Sequence, residues 1–309
     1  MKKTHLILVL LVAAALTSCT KPSDHGYLSV EIDHSVNGNP LITDSLCYHN
    51  EAGNTYMITE IQWFISKIEL QNELGQWFSL RHRNFDDLSP AATDKIFYID
   101  TNIPGSQALT LSALPVGRYK TLRFTFGLDE ADNQTGLFSN PPQANMFWPD
   151  PLGGGYHYMK LNGKYVTANG DLAPLNIHLG IGQNADHSEY YQNHFTVEGP
   201  IDLYVHGNRE NFITLRMEVD NWFRNPHVYE FNTYGSAIMQ NQEAQQTLKE
   251  NGQDVFTWSV SDGLLEKDMN KEEIVEGFNR IMRQAAPQPR FWSWENVKKR
   301  LEEKRSDKS

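Results

Sequence analysis

Cysteine is almost missing from this chain: two thiols, Cys19 and Cys47, in 309 residues. That scarcity excludes a disulfide framework and a thiolate-rich metal centre, both of which need clustered cysteines. The common catalytic signatures are missing too. There is no Gly-x-Ser-x-Gly, no His-Glu-x-x-His and no phosphate-cradling glycine loop. Adjacent carboxylates such as Asp86 and Asp87 point to opposite sides of an extended chain and cannot share a substrate. No catalytic set emerges, so the expectation is a protein that is not an enzyme. Positive charge is also short, with 27 Lys and Arg against 38 Asp and Glu, which argues against nucleic acid or an anionic lipid surface as partner. No apolar run reaches the roughly 20 residues a membrane-spanning helix needs, and neither internal repeats nor low-complexity segments occur.

What is present begins with an address. Lys2 and Lys3 form a basic start, Leu6 through Ala15 an unbroken apolar stretch, and Leu16-Thr17-Ser18-Cys19 a bacterial lipobox. Residues 1–18 are therefore read as a lipoprotein signal peptide, with an ordinary secreted protein cleaved nearby as the alternative. Cys19 would become the acylated N-terminus, each buried acyl CH₂ contributing about 0.8 kcal/mol to anchoring, and residues 19–26 a tether. The expected location is the envelope of a Gram-negative bacterium, periplasmic or surface-facing, with the membrane reached through the lipid. Cleavage removes two lysines and no acid, leaving 25 basic and 38 acidic residues and a net charge of −13. Cys47 would then be the one remaining thiol, expected buried and inert, with metal ligation or intermolecular pairing as alternatives.

From residue 27 onward, strand patterns recur between Gly, Pro, Asn and Asp turns. Tyr27–Asp33 alternates with Leu28, Val30 and Ile32 inward; Tyr56–Leu70 is long and aromatic. Arg118–Phe126 carries Leu122, Phe124 and Phe126 on one face and Tyr119 and Thr125 on the other, and Phe212–Val219 aligns Ile213, Leu215, Met217 and Val219. Many half-buried strands without intervening helices predict an all-β domain over 27–260, an antiparallel β-sandwich, with a short C-terminal helical extension over 261–309. Ala237–Asn251 reads as a helix stopped by Gly252. Another helix opens at Asn270 with an apolar stripe of Ile274, Val275, Phe278, Ile281 and Met282.

The chemistry concentrates between Asn145 and Gly180. Met146-Phe147-Trp148-Pro149 forms a loop that runs through Gly153-Gly154-Gly155 into a strand with His157, and His178 follows one hairpin later. Alternation puts His157 with Met159 and Leu161, and His178 with Asn176. Neutral imidazoles beside thioether or aromatic groups suit a soft ion such as Cu(I); plain hydrogen-bonded strand histidines are the alternative. Asp129–Gly136 gathers carboxylates, amides and glycine as calcium loops do, but it lacks EF-hand spacing, so a plain turn is the better reading.

These segments resemble one family. Tyr56–Leu70, Leu114–Tyr119, Leu122–Asp129, Met146-Phe147-Trp148, Gly155–Leu161, Ile177-His178-Leu179-Gly180 and the stretch from Asn225 to Phe256 together look like the MbnP-like copper-binding proteins, periplasmic or lipid-anchored β-sandwiches. The resemblance implies copper held by histidines together with a tryptophan-derived kynurenine, and a di-haem cytochrome c peroxidase-like partner that oxidises the tryptophan. Carried over, His157 and His178 are the implied metal ligands, Met146 an accessory one, and Trp148 the oxidised residue. Where some members have a histidine two residues after that tryptophan, this chain has Asp150. The function implied is copper acquisition, storage or delivery, with affinity falling as pH drops through a histidine pKa near ~6.5. Two other classes stay open: a metal-free adhesin or glycan-binding module using Tyr156, Tyr158, Tyr190 and Tyr191, and an accessory electron-transfer partner of a di-haem peroxidase.

Overall fold

The computed structural model describes residues 24–83, 93–184, 186 and 188–261. The signal segment, Cys19 and the 261–309 extension beyond Ser261 lie outside the described residues, as does the helix opening at Asn270.

Period-two alternation stacks the chain into two main sheets, beside a separate two-stranded ribbon. β1 (His25–Val36) buries Leu28, Val30 and Ile32 as the pattern predicts, then turns at Asn37-Gly38, both with positive φ, into the short β2 (Asn39–Pro40). β3 (Tyr48–His49) leads to the 18-residue β4 (Thr55–Asn72). Next come β5 (Trp77–Ser79), β6 (Ile96–Asp100), β7 (Ala108–Pro115) and β8 (Gly117–Phe126). A long connection separates these from β9 (Met159–Val166), β10 (Leu172–Leu179), β11 (Gly182–Gln183) and β12 (Tyr190–Tyr191). β13 (Phe195–Val205) and β14 (Glu210–Glu218) follow; two helices, α1 (Phe231–Tyr234) and α2 (Gln242–Asn251), precede β15 (Phe256–Ser261).

One sheet runs β15-β14-β1, with β2 and β7 also on β1; the other runs β10-β9-β4-β8-β13, with β3, β5 and β6 also on β4. Between them lies an aromatic core. Phe256 of the first sheet meets Trp63 and Phe124 of the second at centroid distances of 5.4 and 5.2 Å, contacts that contribute about 0.5–1.5 kcal/mol each beyond burial alone.

Most pairings are antiparallel, as expected, but β1 and β14 run parallel over Tyr27–Ser35 and Glu210–Glu218. Strands from opposite ends of the domain can do this because the intervening chain serves as the crossover. Tyr119 is buried although strict alternation puts it opposite Leu122, because the register of β8 shifts between these positions against both neighbours. In β4 the register shifts between Ser66 and Glu69, with Lys67 at φ 52°. That bulge aims Lys67 at the carboxylates of Asp129 and Asp132. The 129–136 run is therefore a turn whose acids answer to a lysine.

The helix read over Ala237–Asn251 is shorter. It begins at Gln242, where the Asn241 side chain accepts from the Ala244 N–H; upstream, Ile238 is buried and Ala237 bridges Asn176. Gly252 does not end it in a left-handed turn but continues into a 3₁₀ turn. Glycine is required there because a Cβ would come within 2.3–2.8 Å of the Phe195 and Trp222 rings. Cys47, expected buried, is exposed, since it lies in the irregular stretch ahead of β3.

Candidate functional site

The long connection from β8 to β9 builds a cover over the β9–β10 hairpin. Its last turn is closed by backbone bonds from Trp148 N–H to Gly155 O at 2.8 Å and from Gly154 N–H to Pro149 O at 3.2 Å. The 129–136 turn clamps it from outside: Thr135 Oγ1 accepts from Gly155 N–H and Asn133 Oδ1 from Tyr156 N–H, both at 2.8 Å. Gly155 has φ 77°, and a Cβ there would meet Asn133 Oδ1 at 2.4 Å, so no other residue fits this close approach.

That turn sets Trp148 into the molecule, 1% exposed, with its Nε1–H donated to Leu152 O at 3.0 Å. The indole lies on Gly180, whose absent side chain makes the room: a Cβ would come within 2.4–2.7 Å of three indole atoms. His157 and the indole meet in a T-shaped contact at 4.7 Å and 74°, and His157 and His178 meet at 5.1 Å and 82°.

The three residues singled out in the sequence are thus brought together, though not by the alternation that was expected. Period two puts His157 on the Met159 and Leu161 face, whereas His178 pairs across the hairpin with Lys160 on the other face. The chain bends at Tyr158 and β9 begins only at Met159. His157 sits before the strand, held by its own N–H to Met146 O at 2.6 Å.

The two rings have defined tautomers. His157 Nδ1–H donates to Met146 O at 2.9 Å, which leaves the lone pair on Nε2, a buried atom without a hydrogen-bond partner among the described residues. His178 Nε2–H donates to Asn162 Oδ1 at 2.9 Å, leaving the lone pair on Nδ1. Asn162 in turn donates to Glu60 at 3.4 Å, and Asn102 donates to the other oxygen of Glu60 at 2.8 Å. Sequence reasoning missed Asn162, Glu60, Lys160 and Gly180. The cross-strand register of the hairpin is the signal that would have found the first and third.

Burial, and then the Lys160 charge, push His157 down to about 3; the same two causes in the same order bring His178 to about 4. Both imidazoles are neutral across the physiological range. Any loss of metal affinity with acid therefore moves well below the expected value near ~6.5.

A soft metal ion fits this donor set. The two rings lie 5.1 Å apart, close enough for one ion with metal–nitrogen bonds of about 2.0–2.1 Å to reach both, and the orphaned His157 Nε2 is the sort of buried polar atom that a ligand would satisfy. Met146 contributes its carbonyl; its side chain is fully buried in the core. Among the described residues no group of three or more His, Cys, Asp or Glu is clustered for a metal ion, so the donor set is two neutral imidazoles beside an indole. Of the four tyrosines considered for sugar stacking, Tyr156 and Tyr158 are buried, at 2% and 0% exposed, and only Tyr190 and Tyr191 face solvent.

Comparison with known proteins agrees with this architecture. A sequence model of the family described as MbnP matches residues 25–245. The solved structure of MbnP from Methylosinus trichosporium is similar with a TM-score of 0.52 at 13% identity, covering 77% of this chain and 99% of that one, a likeness of fold. No curated protein sequence matches.

Proposed function

The chain belongs to the MbnP family, and from that premise we propose that it is an envelope lipoprotein that binds copper through His157 and His178 beside Trp148, for acquisition, storage or delivery. The observation that carries this reading is the buried Nε2 of His157, which has no hydrogen-bond partner among the described residues and lies next to a second neutral imidazole. Few, soft, uncharged donors suit Cu(I), and among the described residues no carboxylate, which harder ions seek, joins the pair as a third metal-ligating group. Lipidation at Cys19 would hold the domain at a membrane, on the strength of the lipobox in the sequence.

Trp148 is the proposed substrate of a di-haem cytochrome c peroxidase-like partner. With hydrogen peroxide as the oxidant, two peroxides would cleave the indole C2–C3 bond and leave an oxygen on each carbon while being reduced to water, and hydrolysis would then release the former C2 as formate, giving kynurenine. The neighbouring backbone is arranged so that this indole is buried against His157 and not packed into the main core, which supports a role for the ring in the site.

Anaerobic titration of the mature protein with Cu(I) against a chromophoric chelator tests the reading. About one copper per chain is expected, and His157→Ala and His178→Ala should each weaken binding by more than about 100-fold. Unchanged stoichiometry and affinity in both variants would discard the assignment. Intact mass of protein from its native host tests the modification separately.

A further inference from the structure

Lys160 puts a positive charge beside both histidines. It is the antiparallel partner of His178 on the β9–β10 hairpin, so the two side chains leave the same face with Cβ atoms about 5 Å apart. Its Nζ donates to Asn145 O at 2.6 Å, one residue ahead of the Met146 carbonyl that takes the proton of His157 Nδ1. The ammonium is in this way tied down beside both rings. Among the described residues no carboxylate pairs with it. Glu60, the acid whose charge it feels, has its two oxygens engaged by Asn102 and Asn162.

We infer that Lys160 is a selectivity element: its positive charge, fixed beside His157 and His178 and facing Glu60 without a direct ion pair among the described residues, tilts the site toward monovalent and against divalent metal ions. The inference rests on the copper reading above. Coulomb repulsion is proportional to the charge of the arriving ion, so the ammonium opposes a divalent ion twice as strongly as a monovalent one. Glu60, the acid that acts on Lys160, is set back from the rings, reaching His178 through the amide of Asn162.

The test compares Ag(I), a soft monovalent ion stable in air, with Zn(II), by competition titration of the mature protein. Every protein carries Cys47→Ser, because the exposed thiol would itself take silver. Lys160→Met keeps the aliphatic stem and removes the charge; it should tighten Ag(I) about threefold and Zn(II) about tenfold, a logarithmic gain twice as large for the divalent ion. Lys160→Arg keeps the charge and should keep the wild-type ratio. Equal gains for both ions, or a Lys160→Met protein that binds like wild type, would overturn the inference while leaving the copper site standing. If the wild type takes up neither ion, or takes them up equally well with His157→Ala, the copper reading fails and this inference goes with it. Thermal unfolding of Lys160→Met confirms that the hairpin still folds.

Discussion

Asn162 decides which nitrogen of His178 carries the lone pair. With its amide oxygen taking the Nε2 proton at 2.9 Å, the imidazole is locked as the tautomer whose Nδ1 is free. Replacing it by Leu removes that acceptor while keeping an apolar body, so the ring can adopt either tautomer and rotate. Loss of such an outer partner commonly weakens metal binding 10–100-fold. The expectation for Asn162→Leu is a drop of about that size in Cu(I) affinity, together with a mixed tautomer signature for His178 in ¹⁵N NMR of the metal-free protein. A pure tautomer spectrum would reject the role whatever copper does. Gly180 makes a second residue-level case. Gly180→Ala drives a methyl into the indole of Trp148, and overpacking of this kind costs about 1–3 kcal/mol. A lowered Tm and altered Trp fluorescence should follow, and a variant as stable as wild type would show that the indole is free to move. Trp148, His157 and His178 could be picked out of the sequence because soft and aromatic side chains near glycines are conspicuous. Asn162 and Lys160 could not, since their roles come from facing His178 across a hairpin whose register a linear reading does not supply.

At the level of elements, alternation alone located most strands. Leu28, Val30 and Ile32 in β1 and Ile213, Leu215 and Met217 in β14 are buried in the phase their pattern announces. The reading failed where the backbone leaves period two: at Tyr119 and at the bend before β9 that swings His157 to the His178 side. Bulges are set by what the neighbouring strands require, and that information is long-range. The start of α2 was missed for a local reason. Asn241 serves as an N-cap, its side chain bonding Ala244 N–H at 3.1 Å, while the residues before it are held by the buried Gln245 through the carbonyls of Ile238 and Met239. Asn241→Ala should therefore cost about 1 kcal/mol in urea unfolding. Copper affinity should be unchanged, because the cap touches neither imidazole. A stability loss near zero would mean that Gln245 and the packing of Ile238 set the helix start unaided.

The whole molecule adds a consequence that no single element shows: three histidines, His34, His157 and His178, are kept neutral inside it. His34 is the clearest, 8% exposed between the sheets, with its Nε2 accepting from Trp63 Nε1–H at 3.1 Å. Burial pulls it down to about 4. An unfolded histidine titrates near ~6.5, so below that pH the unfolded chain takes up a proton that the folded protein refuses. Its stabilising contribution is complete above pH ~6.5, falls as pH drops toward 4, and is lost once the folded ring also protonates. The same sign holds for His157 and His178, whose folded values of about 3 and about 4 extend the window downward. Between pH 7 and 5 each such group removes about 2 kcal/mol, while ordinary carboxylates have scarcely begun to titrate. Urea denaturation of the metal-free protein at the two pH values should show a marked loss at pH 5. His34→Gln, whose amide oxygen can still accept from Trp63, should reduce that loss by about 2 kcal/mol even if it is less stable at pH 7. An unchanged pH difference in this variant would mean that the imidazole between the sheets is already protonated in the fold. Copper, by occupying rings that are already unprotonated in the folded protein, should raise stability at both pH values by the same amount and leave the difference between them unchanged.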